Sequence, residues 1–158
     1  MKKLNKIGIN QELSIQLADK LNVLLANYQL FYINTRGFHW NIKGEKFFEL
    51  HLKFEELYND SLLKIDEIAE RILTLEKVPY HAFADYLKHS AIQPAKHISD
   101  GKKAVKIVLD SFCELLVLER DILKLSAKAD DEGTNAMMSD YIREQEKLVW
   151  MLSAFLEK

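Results

Sequence analysis

Helix-breaking residues are scarce in this chain: two prolines and five glycines among 158 residues. That scarcity excludes a β fold with many tight turns and a Gly/Pro-rich disordered chain. A single cysteine, Cys113, cannot close an internal disulfide and fits a reducing cytosol. Within Ser111-Phe112-Cys113-Glu114-Leu115 it reads as a small buried hydrophobe, because no neighbour in sequence would stabilise a thiolate. An excess of one charge is also missing. Lys and Arg number 22 against 24 Asp and Glu, a net charge of −2, so no global basic field marks a nucleic-acid binder. Residues 21–33 are the most apolar stretch, but Asn22, Asn27 and Gln29 interrupt it. It falls short of the ~20 apolar residues that span a bilayer. Lys2, Lys3 and Lys6 precede no apolar run, so no signal peptide is read, and the expected location is the cytoplasm.

What is abundant is Leu, Lys, Glu and Ala, the strong helix formers. Apolar residues recur with a period of 3.6 through most of the chain. The first segment runs from about residue 11 into the late thirties, with Asn10 as N-cap and Gly37 as the stop signal. Its stripe includes Leu13, Leu17, Leu21, Leu24, Tyr28 and Phe31. A second segment spans about 45–75 and carries Phe48, Phe54, Leu57, Leu62, Ile65, Ile68 and Ile72. At ~1.5 Å per residue it is ~45 Å long. Residues 77–99, with Pro79 and Pro94, are irregular except for one or two turns at 82–87. A third segment starts at 99 or 100 and ends at 128. After a break at 129–133, Thr134 caps a fourth. Two short connections and one long crossover predict an all-α, ferritin-like four-helix bundle with a short extra helix between the second and third long helices. Residues 1–9 form a short flexible tail and 10–158 the bundle domain.

The chemistry concentrates on the second helix. His51 and Glu55 are one turn apart, as are Asp66 and Glu70, and the pairs are separated by eleven residues, close to three whole turns. All four side chains therefore share a face. Any one such pair is most often a solvated surface pair. The in-phase repeat beside apolar positions sets a metal reading next to that bland one. The two pairs lie ~16 Å apart along the helix, too far for one ion held at ~2.0–2.6 Å. They have a symmetric solution, since 51 and 70 share their midpoint with 55 and 66, between Asp60 and Ser61. Packed antiparallel against its own copy, this helix brings His51 and Glu55 of one chain to Asp66 and Glu70 of the other. His39 completes each site, which then holds two imidazoles and three carboxylates. Such nitrogen and oxygen ligands suit iron(II), manganese or zinc. No Glu is followed three positions later by His, so the di-iron centre found inside single ferritin subunits is not expected.

Three stretches are similar to the Dps family of mini-ferritins: residues 34–44 around Gly37-Phe38-His39-Trp40-Asn41, residues 47–51 ending in His51, and Asp66-Glu67-Ile68-Ala69-Glu70-Arg71. Arg143-Glu144-Gln145-Glu146-Lys147 resembles that family's last helix. The resemblance implies a hollow homododecamer that oxidises iron(II), preferentially with hydrogen peroxide, and stores the ferric mineral. It also implies protection of DNA from oxidative damage. It assigns His39, His51 and Glu55 to one subunit and Asp66 and Glu70 to its twofold partner as ferroxidase metal ligands, with His39, His51, Asp66 and Glu70 as the catalytic residues. Glu55 stands where the family often has Asp. Zinc competes for such a site. Trp40 reads as an aromatic wedge at the interface, and the family adds interception of radicals. The acids Asp130, Asp131, Glu132 and Asp140 would lie near threefold pores. The rival reading is a non-enzymatic DNA-compacting, nucleoid-associated protein with a structural metal site. Three lysines in a nine-residue tail, repeated over twelve copies, offer DNA a multivalent contact, and the net negative subunit argues against tight binding at physiological salt.

Overall fold

Five helices carry most of the chain: α1 (Gln11–Asn41), α2 (Phe47–Thr74), α3 (Phe83–His89), α4 (Gly101–Lys128) and α5 (Glu132–Leu156). The computed structural model describes residues 3–157. Among these no strand forms, only two isolated bridges. α1 lies along α2 and α4 along α5. α1 joins the pairs by packing on α4, and the short α3 rests on α1. Leu17, Leu21, Leu24, Phe31, Phe54, Ile68, Ile72 and Leu115 are buried at the centre. The four-helix bundle with one short extra helix is the expected architecture.

Three local expectations differ from what forms. Gly37 does not stop α1, which continues to Asn41. A mid-helix glycine costs ~1 kcal/mol relative to Ala. Burial of Phe38 against Phe54, with ring centroids 5.7 Å apart, outweighs that cost. The chain turns instead at Gly44 and Lys46, both in the left-handed region with φ of 94° and 66°. His39 therefore stands on the helix rather than beyond it. Thr134 is not the cap of α5. Asp131 is, accepting from the Thr134 amide at 3.0 Å, while Thr134 lies inside the first turn. Cys113 is exposed, because it points away from the α4 stripe of Ala104, Val108, Phe112 and Leu115.

Residues 3–10 do not trail into solvent. The Asn5 side chain accepts from the amides of Ile7 and Ile9 and donates to Ser14 Oγ, and the Gln11 amide donates to the Lys3 carbonyl. Lys6 reaches Glu76 at 3.4 Å. The expected flexible tail is thus a closed turn over its described part, and Lys2 lies outside the described residues. Polar residues that interrupt the α1 stripe have a matching task. Asn22 holds Val78 and Tyr80, Asn27 accepts from the amides of Ala91 and Ile92, and Asn34 holds Gln93 and Ala95. Each side chain supplies hydrogen bonds that the irregular crossover cannot make with itself.

Candidate metal centre

α1 and α2 bring the two candidate imidazoles together. His39, buried near the end of α1, stacks on half-buried His51 of α2, with centroids 3.7 Å apart and planes 13° from parallel. Each Nδ1 lies 2.7 Å from the other's backbone carbonyl oxygen. A carbonyl only accepts, so each Nδ1 carries hydrogen and donates. In the neutral rings each Nε2 then keeps its lone pair. This is the tautomer that ligates a metal through Nε2, with the second nitrogen anchored to the backbone.

Aromatic neighbours hold the stack. Phe47, one turn before His51, lies on that ring at 5.1 Å, and Tyr58 meets His39 edge-on at 5.3 Å. Tyr58 in turn meets Tyr32 at 6.0 Å. The Arg36 guanidinium sits between the Tyr32 and Trp40 rings, at 5.0 and 4.8 Å. Its Nε is buried without a partner among the described residues. Phe47, Tyr58 and Arg36 were not singled out in the sequence, although Phe47–His51 and Tyr32–Arg36–Trp40 show the spacing of one helical turn. Trp40 itself is 63% exposed.

Glu55 is half-buried one turn beyond His51, and Asp66 and Glu70 are exposed further along α2. At ~1.5 Å per residue, Asp66 and Glu70 lie ~22 and ~28 Å along the axis from His51. Within one subunit, and among the described residues, no three His, Cys, Asp or Glu side chains converge on a point that could hold a metal. The structure thus brings His39 to His51 and leaves the carboxylates of Asp66 and Glu70 facing outward without them. The same outer face of α2 exposes Phe48, Leu52, Leu62, Leu63 and Leu73, with Phe48 78% and Leu63 72% exposed. Phe48 and Leu73 share the midpoint of 51 with 70. Five large exposed apolar side chains on one helix mark an association surface.

The acids of the expected pore separate. Asp131 is buried, 2.5 Å from the Arg71 guanidinium, and also takes the Thr134 hydroxyl. Arg71 donates to Thr134 as well, which ties the end of α2 to the start of α5. Asp130, Glu132 and Asp140 remain exposed.

The fold is that of a ferritin-like protein, and the model of the ferritin-like domain matches residues 18–158. The crystal structure of a Dps protein from Vibrio cholerae O1, described as a member of a broad superfamily of ferritin-like diiron-carboxylate proteins, superposes with a TM-score of 0.96. It is 57% identical and covers 99% of this chain and 98% of its own. A Haemophilus influenzae protein is 51% identical over 148 residues, covering 94% of this chain and 92% of its own. The DNA protection during starvation protein of Porphyromonas gingivalis is 40% identical over the full length of both chains. The chain belongs to the Dps family of ferritin-like proteins. No helix among the described residues is long and apolar enough to cross a membrane.

Proposed function

We propose that this protein oxidises iron(II) with hydrogen peroxide at sites shared across twofold subunit interfaces, and stores the product inside a homododecamer. The observation that carries this reading is the reciprocal His39–His51 pair, with both Nδ1 atoms anchored and both Nε2 atoms free to ligate. His39, His51 and Glu55 come from one subunit, and Asp66 and Glu70 from its partner. The exposed apolar face of α2 supports that pairing. Iron is the substrate. The imidazoles select and hold iron(II), and the carboxylates compensate the charge of iron(III). Peroxide takes one electron from each of two iron(II) ions and its O–O bond breaks to give hydroxide. Because the electrons leave as a pair, hydroxyl radical is not released, which protects DNA from oxidative damage. Zinc competes with iron(II) at such a ligand set.

The test is peroxide-driven iron(II) oxidation by wild type against His51→Ala/Asp66→Ala at matched assembly. Wild type should consume two iron(II) per peroxide and the double variant should fall to the buffer rate. Equal rates in both would overturn the assignment. The rival reading is DNA compaction around a structural metal, and the Porphyromonas relative's name, DNA protection during starvation protein, speaks of DNA alone. A gel shift at low and physiological salt separates the two, since phosphate binding weakens steeply with salt.

A further inference from the structure

Three long helices meet around a carboxyl group with no counter-ion among the described residues. Glu119 of α4 is wholly buried. The two cations nearest to it in charge are engaged elsewhere, Lys64 by Asp60 and Glu144, and Arg120 by Glu146. Tyr28 Oη of α1 donates to Glu119 Oε1 at 2.7 Å. Gln145 Nε2 of α5 donates to the same oxygen at 2.8 Å and to Tyr28 Oη at 2.5 Å. These bonds use the single phenolic hydrogen and both amide hydrogens. Two buried oxygens are left over, Glu119 Oε2 and Gln145 Oε1, and neither has a partner among the described residues. With Glu119 ionised, both are pure acceptors. The cluster is short of one hydrogen.

We infer that the bundle core contains a proton-binding site, in which Glu119 is a neutral carboxylic acid that donates from Oε2 to Gln145 Oε1. That bond completes a hydrogen-bonded joint between α1, α4 and α5. A single added proton matches both leftover oxygens, because it turns one of them into a donor for the other. It also removes the unpaired buried charge.

Electrostatics agree with the geometry. Burial pushes the Glu119 carboxyl up to about 7, against the hydrogen bonds from Tyr28 and Gln145 and the charges of Lys64 and Arg120. The titratable groups facing it are Tyr28 from α1, Lys64 from α2, Tyr141 from α5 and Arg120 on its own helix. Burial holds both tyrosines neutral by raising them above the ordinary phenol value. An ordinary glutamate ionises at 4.5. Between 4.5 and about 7, the folded chain keeps a proton that the unfolded chain has lost. This contribution to stability is therefore full below that window. It declines as pH rises through the window and levels off above it.

The test compares the thermal midpoints of the assembled wild type and Glu119→Gln from pH 5 to pH 8. Glutamine supplies a permanent N–H donor at the same place. The wild-type midpoint should fall relative to the variant as pH rises, with the difference levelling off above about pH 7. Parallel traces would overturn the site. Should Glu119→Gln fail to assemble, infrared spectra of the assembled wild type decide. A carboxylic-acid carbonyl band present at pH 6 and gone by pH 8.5 supports the inference. Carboxylate absorption alone at both pH values overturns it and leaves a trapped water as the missing donor.

Discussion

The anchoring of two imidazoles by two carbonyls makes the metal-facing nitrogen a property of the backbone. In the sequence, spacing singled out His51 with Glu55, Asp66 and Glu70, and His39 was added as the residue that completes the proposed site. The carbonyls that set their tautomers were not, since every residue has one and only the crossing of α1 and α2 selects these two. Phe47 supports this arrangement from one side. Phe47→Ala should therefore lower the rate of iron oxidation ~10-fold while leaving all five proposed ligands in place, as loss of an outer partner of a ligating histidine does. Stopped-flow absorbance of the ferric product checks it. Asp131 illustrates the opposite case, a residue that reads as part of an acidic turn and is buried as the counter-ion of Arg71. Asp131→Ala removes a helix cap and strands a half-buried guanidinium, at a cost of about 2–4 kcal/mol. Denaturant unfolding should show that loss.

Among the helices, existence and order were legible and boundaries were close, because strong periodicity over 25 or more residues leaves little choice. The misreadings share a cause. Gly37 and Thr134 were judged by local preference, and tertiary contacts overrode them: Phe38 packs on Phe54, and Asp131 is held by Arg71. Asn22, Asn27 and Asn34 of α1 are the clearest example of a signal present but unreadable. In sequence they interrupt an apolar run, and only the crossover lying on α1 explains them. Asn27 accepts hydrogen bonds from the backbone amides of Ala91 and Ile92. Asn27→Ala should leave these donors short of an acceptor and cost about 1–3 kcal/mol. Hydrogen exchange should quicken first at Ala91 and Ile92, before the helices respond.

For the molecule as a whole, one subunit holds half of each proposed site. The shared midpoint on α2 was legible as arithmetic. The apolar side chains around it became visible only when Phe48, Leu52 and Leu63 were found facing out of the bundle. Placing a charge in that face separates assembly from ligation. Leu63→Asp should shift light scattering toward smaller particles and abolish iron oxidation, although it alters none of the five ligands. A variant that still assembles and still oxidises iron would remove α2 from the interface.

The two halves of α2 would also belong to different sites of one subunit pair, and this has a genetic consequence. A homodimer of His51→Ala chains has two damaged sites, and so does a homodimer of Asp66→Ala chains. In a mixed pair, one site collects both lesions and the other has none. Random pairing of the two defective alleles should restore about a quarter of the sites. Co-expression would then recover activity that neither allele has alone, the mark of complementation within a single gene.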